Sequence, residues 1–396
     1  MARSPLLERL LIVPGNTGTA RHGQNVPLPV QNAESLLRVA QQERIDLLVV
    51  GPDNPLADGI VDHFQAAGIA AFGPTAAAAQ IESSKSFAKQ LMQAVGVPTA
   101  EAHVFDDAEQ AAGFASSSGR PWVVKADGLA LGKGVVVADD VAGTVAAVKK
   151  LAATPAGKRL LLEERMSGPE VSVIALCDGK TLLPLPPARD YKRLLDGNQG
   201  PNTGGMGAIA PAPGVDEATL QTIVSRCMQP VVDALAARGT PFVGALFAGI
   251  MLTSDGPRVL EFNARFGDPE TQVLLPLVEG DFLAALLACA EGRLQPTMLR
   301  WRKGTAVCVV LAAPGYPDSA RLNAPISGVE ALEENDNLMI FHAGTAITDV
   351  GMATAGGRVM GVVGVAGSAP TARQRAYDAI PQIRFEDKHF RTDIGT

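Results

Sequence analysis

The chain of 396 residues holds only four cysteines, Cys177, Cys227, Cys289 and Cys308, none of them closely spaced. A disulfide framework and a thiolate zinc site are therefore not expected, and buried free thiols in a reducing compartment are. The five histidines, His22, His63, His103, His342 and His389, are scattered, with no pair at metal-ligand spacing. No run of Lys or Arg occurs, and 34 basic against 41 acidic residues give a formal net charge of −7. Nucleic acid, whose phosphates demand a basic footprint, is not an expected partner. No apolar run approaches the roughly 20 residues that span a bilayer. The first such run, Leu10–Val13, stops at Pro14-Gly15 and does not read as a signal peptide. No membrane association is expected, and the location expected is cytoplasmic. There is no internal repeat, and the 41 glycines and 28 prolines are spread without a period, as turns and loops are.

What the sequence does have is apolar material, 47% of residues against 19% charged. At roughly 100–200 residues per domain, several domains are expected. The first part alternates. Strand-like runs at Leu10–Val13, Ile45–Val50 and Ile69–Phe72 end in Gly- or Pro-containing turns, and helix-like stretches at 33–44 and 58–67 lie between them. That order predicts a parallel sheet covered on both faces, with ligands at the carboxyl ends of its strands. A single helix is predicted from a Thr75 cap to a stop at Gly96 and Pro98. Short strand runs at 122–126, 134–138, 160–163 and 171–177, with one helix among them, suggest a small α+β module. A loop-rich stretch, 184–213, precedes a helix at about 216–237. The runs 244–253 and 258–262 face each other across Ser254-Asp255-Gly256, a hairpin signal. From about 303, further strands and a helix at 371–380 suggest another, smaller domain.

Chemistry concentrates in two segments. In Val123–Val135, Lys125 ends an apolar strand, a glycine-rich turn containing Lys133 follows, and a second strand begins. Glycines let backbone N–H groups approach phosphate oxygens, and lysines neutralise them. No Walker-type helix follows, and a plain hairpin uses the same residues. In Leu260–Arg265, Glu261 and Asn263 are two apart on a strand and share a face. A carboxylate and a carboxamide side by side are hard oxygen ligands suited to Mg²⁺ on phosphates. Arg265 extends that face if the strand continues, and suits a transferring phosphoryl group. Glu163, at a strand end, and Glu170, beyond a Gly168-Pro169 turn, suit ribose hydroxyls; Lys85 follows Ser84 in the predicted helix. Each of these alone also reads as ordinary surface.

Taken together, Lys85, the Lys125–Gly134 strand–turn–strand, Glu163–Glu170 and the Glu261–Arg265 strand resemble the successive nucleotide elements of the ATP-grasp superfamily. Asp190-Tyr191-Lys192-Arg193, Gly200–Ala208 and Arg265–Gln272 resemble the phosphoribosylamine–glycine ligase family within it. So do Pro14-Gly15-Asn16, Gly51–Leu56 and Arg391–Gly395, so that the resemblance spans essentially the whole chain. It implies a multidomain α/β and α+β fold: an N-terminal parallel-sheet substrate domain (1–75), an ATP-grasp domain (76–302) with a mobile lid at about 98–167, and a small C-terminal α+β domain (303–396). It further implies ATP with Mg²⁺ or Mn²⁺, glycine and 5-phosphoribosylamine as small-molecule substrates, and a monomer or weak homodimer. Lys85, Lys125 and Lys133 would hold ATP phosphates, with Glu163 and Glu170 near adenine and ribose. Glu261 and Asn263 would hold the metal, and Arg265 would act on the transferring group. Asn16, Asp190, Lys192, Arg193, Asn202, Thr203, Gly204, Gly205 and Asp268 would line the acceptor site.

The sequence departs from the family pattern at the start. Members begin with a strand and a Gly-Gly-Arg-Glu-His turn ahead of the Pro-Gly-Asn strand, and this sequence has neither. The parallel sheet is then expected to lack its central strand, and a start at a late methionine is the expected cause. Tyr191 stands where histidine is usual, Asp53 where glutamate is usual and Leu131 where alanine is usual. Another ATP-grasp carboxylate–amine ligase, or a nucleotide-binding homologue without catalysis, are the alternatives open at this point.

Overall fold

The computed structural model describes residues 1–130, 134–332, 334–349 and 351–396. Its N-terminal strands are parallel, as the alternation predicts, but they do not form one sheet. Leu11–Ile12 pairs with Gln24–Asn25, and Leu47–Val49 pairs with Ala70–Phe72. Among the described residues no strand joins the two pairs. The single sheet that the alternation predicts is, among the described residues, two separate pieces. Leu47, Leu48 and Val49 are consequently only half-buried. Leu48 leans on one apolar core, and Leu47 and Val49 lean on another, as strand alternation requires.

The single helix predicted after Thr75 is two helices, Ala76–Ser83 and Lys85–Ala94, capped by the hydroxyls of Thr75 and Ser84. Ser84 leaves helical backbone (φ −134°, ψ 107°) to cap the second helix. The Ser84 and Ser86 hydroxyls also donate to the Asp127 carboxylate, at 3.3 and 2.7 Å, and Ser86 N donates to it at 2.7 Å. The break thus sets Lys85 at the very start of a helix, against the turn that follows Lys125.

Ala102–Phe105, Leu160–Glu163, Val123–Ala126 and Val135–Val137 form an antiparallel sheet in that spatial order. Helices Ala108–Ser118 and Val141–Ala152 pack on it around Trp122, Val124, Val148 and Leu162, a core separate from the rest. The run at 171–177 does not belong to this module. As Glu170–Asp178 it lies inside a second sheet, ordered Leu182–Pro184, Glu170–Asp178, Val243–Thr253, Gly256–Asn263. Covered on both faces, it is buried from Val171 to Asp178, which is why it reads as one continuous apolar run. The hairpin at 254–256 closes as predicted.

The C-terminal sheet has five strands, ordered Arg189–Asp190, Gly207–Ala210, Thr305–Ala312, Arg358–Ala366, Leu338–His342, and helix Ala369–Ala379 packs on it. Its first two strands come from the stretch that reads as loop, since two- and four-residue strands carry too few positions to show alternation. The boundary expected at 303 is crossed there. The Asp190–Gly205 segment consequently lies where this sheet meets the four-stranded one. No described helix is long and apolar enough to cross a membrane.

Candidate active site

The sheet containing Val123–Ala126, the sheet containing Gly256–Asn263 and the Asp190–Gly204 segment enclose a cleft of about 1330 Å³. Lys85, Lys125, Glu163, Glu170, Glu261, Asn263 and Arg265 all line it. Glu261 and Asn263 share one face of strand Gly256–Asn263. The strand ends there, so Arg265 reaches the cleft from the following turn, where Glu82 fixes it. Glu82 takes Arg265 Nη2 at 3.1 Å and the backbone N–H of Ala264 at 2.8 Å.

Lys85 donates from Nζ to Gly128 O at 3.2 Å. Lys125 donates to Leu260 O at 3.1 Å and pairs with Glu163 Oε2 at 2.9 Å. Burial alone would raise the Glu261 carboxyl, but Lys192, Lys125, Lys85 and Arg265 surround it and hold it below its usual range. Burial lowers Lys85, partly offset by Glu261, whereas Glu163 and Glu261 outweigh burial at Lys125 and raise it. Four cations thus converge on Glu261, three of them also paired with Glu163, Glu170 or Glu82, and this concentration of ammonium and guanidinium donors suits a polyphosphate. The same field disfavours a bare divalent cation, and no group of three or more His, Cys, Asp or Glu among the described residues is arranged to hold one. The Glu261 and Asn263 oxygens fit a metal that arrives already bound to phosphate oxygens.

Glu163 and Glu170 are both paired. Glu163 lies between Lys125 and Lys89, and Glu170 pairs with Lys192 at 2.9 Å. Burial and its carboxylate neighbours pull Lys192 in opposite directions, and Glu170, Glu261 and Asp190 prevail, raising it.

The other end of the cleft is built around Asp190. Arg193 donates to Gly200 O at 2.7 Å, and Thr203 Oγ1 donates to Lys192 O at 2.9 Å. Strand pairing of Arg193 with Asn202 completes a small hairpin. Gly205, at φ +108°, has no room for a side chain: a Cβ would lie 2.4 Å from Pro269 Cδ and 2.7 Å from Asp190 Oδ1. Asp190, Lys192, Arg193, Asn202, Thr203, Gly204 and Asp268 line the cleft; Gly205 supports it from behind. Asp268 is committed to Arg358 Nη2 at 2.9 Å, and the same guanidinium donates to Gly204 O at 2.7 Å. Asp190 Oδ1 is buried without a hydrogen-bond partner. Burial, then the Glu270 carboxylate, raises Asp190 well above the usual range; burial likewise raises Glu270, which accepts from the Ser172 hydroxyl at 2.9 Å.

Glu270 therefore contributes stability that is present at acid pH and lost as pH rises from its ordinary 4.5 through its higher folded value. Glu270→Gln, which keeps the acceptor for Ser172, is expected to melt several degrees above wild type at pH 8. The advantage should shrink toward pH 5, as thermal unfolding across that range would show. A constant difference at all pH values would mean that burial does not raise the Glu270 carboxyl.

Asn16 is not in this cleft. Its amide donates to His342 O and Ala343 O at 2.9 and 3.2 Å, and its oxygen accepts from Gly18 N and Thr19 N. The amide nitrogen joins the N-terminal segment to the C-terminal sheet at the end of strand Leu338–His342, and the oxygen closes the local turn at Gly18 and Thr19. Tyr191 is buried, with its hydroxyl against Gly395 N at 3.1 Å, and it packs under Arg391. Asp53 lines the cleft and accepts from Asn54 N. Lys133 and Leu131 lie outside the described residues.

Sequence reasoning missed Glu82, Lys89, Ser172, Glu270 and Arg358. Only Lys89 carried a local signal, lying four residues after Lys85 and hence on the same helix face.

Fold and cleft define an ATP-grasp protein: residues 83–271 match the family model described as "Phosphoribosylglycinamide synthetase, ATP-grasp (A) domain". The biotin carboxylase domain of the Hydrogenobacter thermophilus 2-oxoglutarate carboxylase superimposes with a TM-score of 0.72 at 18% identity, over 93% of this chain and 82% of that one, a likeness of fold alone. Residues 1–82 and 306–396 match the N and C domains of the same synthetase. A phosphoribosylamine–glycine ligase from Synechocystis is 45% identical over 100% of this chain and 95% of its own length. The crystal structure of the Thermotoga maritima phosphoribosylamine–glycine ligase matches with a TM-score of 0.85 and 34% identity, covering 97% of this chain and 93% of that one. The chain belongs to the phosphoribosylglycinamide synthetase family.

Proposed function

We propose that this protein joins glycine to 5-phosphoribosylamine, giving glycinamide ribonucleotide, ADP and phosphate, the ligation its relatives are named for and a step of purine biosynthesis. The observation that carries this reading is the single cleft with two unlike ends. At one end four cations converge on Glu261; the other is walled by the buried carboxyls of Asp190 and Glu270, both raised by burial. Lys85 and Lys125 hold the phosphates of ATP. A glycine carboxylate oxygen attacks the γ-phosphorus, the bond to ADP breaks, and glycyl phosphate forms. Arg265, steadied by Glu82, faces the charge on the transferring group. The amine of phosphoribosylamine then attacks the acyl carbon, phosphate leaves, and the nitrogen loses a proton. The lid excludes water, which would hydrolyse the acyl phosphate.

Glu261 and Asn263 would hold Mg²⁺ or Mn²⁺, which when bound offsets negative charge on the phosphates. Glu170 reaches ribose only by sharing its carboxylate with Lys192, and Glu163 acts through the lysines it holds. The Asp190–Gly204 segment and Asp268 read the acceptor substrates. Asn16 is left out, its carboxamide being fully used elsewhere.

The test is ADP release from ATP, Mg²⁺, glycine and fresh phosphoribosylamine, with each acceptor omitted in turn. Dependence on both is expected. ATP binding with no response to glycine would instead support a nucleotide-binding protein without ligase activity, the reading that the split N-terminal sheet favours.

A further inference from the structure

Lys89 has no role in the chemistry above, yet it is 2% exposed. A buried ammonium carries a desolvation cost that an apolar side chain would avoid, so its partners indicate what it is for. The chain enters the lid at Pro98–Ala100 and leaves it at Glu163-Glu164. Lys89 Nζ donates to Thr99 Oγ1 at 2.8 Å and to Ala100 O at 3.4 Å on the way in, and lies 3.4 Å from Glu163 Oε1 on the way out. The other Glu163 oxygen takes Lys125. Thr99 Oγ1 in turn donates to Val259 O at 2.7 Å, on the strand that carries Glu261. We propose that Lys89 is a positioning residue, an internal strap that ties the two lid crossings together and, through Glu163, holds Lys125 in its phosphate-binding place.

The connectivity supports a strap rather than a filler. Lys85 and Lys89 stand one turn apart on helix Lys85–Ala94, so one rigid element presents an ammonium to the cleft and another to the hinge. On the outside, Arg258 Nη2 bridges the same two crossings, to Thr99 O at 2.7 Å and Glu164 Oε2 at 3.2 Å. The outer clasp is half-exposed; the inner one is dry and connects directly to Lys125. A hinge tied in this way transmits lid position to the phosphate site without touching substrate.

The proposal rests on the cleft being the ATP site, so nucleotide affinity is measured by titration as well as by turnover. Lys89→Met keeps the stem and removes the charge. It is expected to weaken ATP binding roughly tenfold or more, in Kd and in KM alike, while the glycine KM stays within about twofold. Lys89→Arg should restore most of the affinity. Burial lowers Lys89 to about 8, against the pull of Glu163 and with Lys125 and Arg258 as its other charged neighbours. Wild-type ATP affinity should therefore fall above that pH, and Lys89→Arg should move the fall upward, which a purely structural role would not. If Lys89→Met fails to fold, Thr99→Val, which cuts the link to Val259, should weaken ATP severalfold. ATP affinity within about twofold of wild type in whichever of these folds, or equal losses in the Met and Arg variants, overturns the strap. A wild type that binds ATP but does not turn over sinks the ligase reading and leaves the strap testable by affinity.

Discussion

Glu261→Gln is expected to lower ligase turnover by about three orders of magnitude, ~4 kcal/mol in the transfer step, while ATP still binds. The split follows from the charges. Glu261 is the carboxylate that Lys85, Lys125, Lys192 and Arg265 share. Neutralising it makes the pocket more positive, so polyphosphate affinity should hold or rise. What disappears is the oxygen that, with Asn263, would steady a metal on the phosphates. The empty protein should melt lower than wild type, because four cations then lack their shared partner. Added ATP should recover more stability in the variant than in wild type. Kinetics combined with melting curves, with and without nucleotide, would test this; equal losses in ATP affinity and turnover would count against it.

Glu163→Ala is expected to have the largest effect on the fold. Glu163 is 3% exposed and lies between Lys125 and Lys89. Without it, two ammonium groups face each other in a dry hinge. Removing one partner of a buried ionic set costs about 3–5 kcal/mol. At roughly 2–4 °C per kcal/mol, the melting point should drop by about 10 °C. Glu163→Gln keeps an acceptor for Lys125 and should fall between the two. The loss should appear first in segments 98–101 and 160–166, as faster amide exchange there. A melting point within about 2 °C of wild type for Glu163→Ala would show that the two lysines do not depend on it.

The sequence showed the strand carrying Glu261 and Asn263 because alternation over three residues suffices to place two ligands on one face. It showed Lys125 because glycines follow it directly. What it could not show depends on contacts between distant segments. Glu82 meets Arg265 across 183 positions, with nothing local to mark it. Glu170 and Glu163 looked free for ribose because their lysine partners lie on other elements. Arg189–Asp190 and Gly207–Ala210 were too short to read as strands, so the segment that walls one end of the cleft read as loop-rich, and its part in the C-terminal sheet did not show. The break at Ser84 was hidden because the apolar stripe continues across it, although Ser84 is a favoured N-cap residue and its hydroxyl accepts from Phe87 N three positions on.

That break bears on how the two cleft lysines are held relative to each other. Asp127, at the end of a lid strand, is gripped by the backbone and hydroxyl of Ser86, by the hydroxyl of Ser84, and through its own carbonyl by Lys85 N at 3.2 Å. At about 0.5–1.5 kcal/mol net for each bond, the latch is modest per contact and considerable in sum. A latch between the first turn of one lysine's helix and the strand of the other fixes the spacing of Lys85 and Lys125, so the two cleft ammonium groups are placed by contacts that lie outside the cleft chemistry.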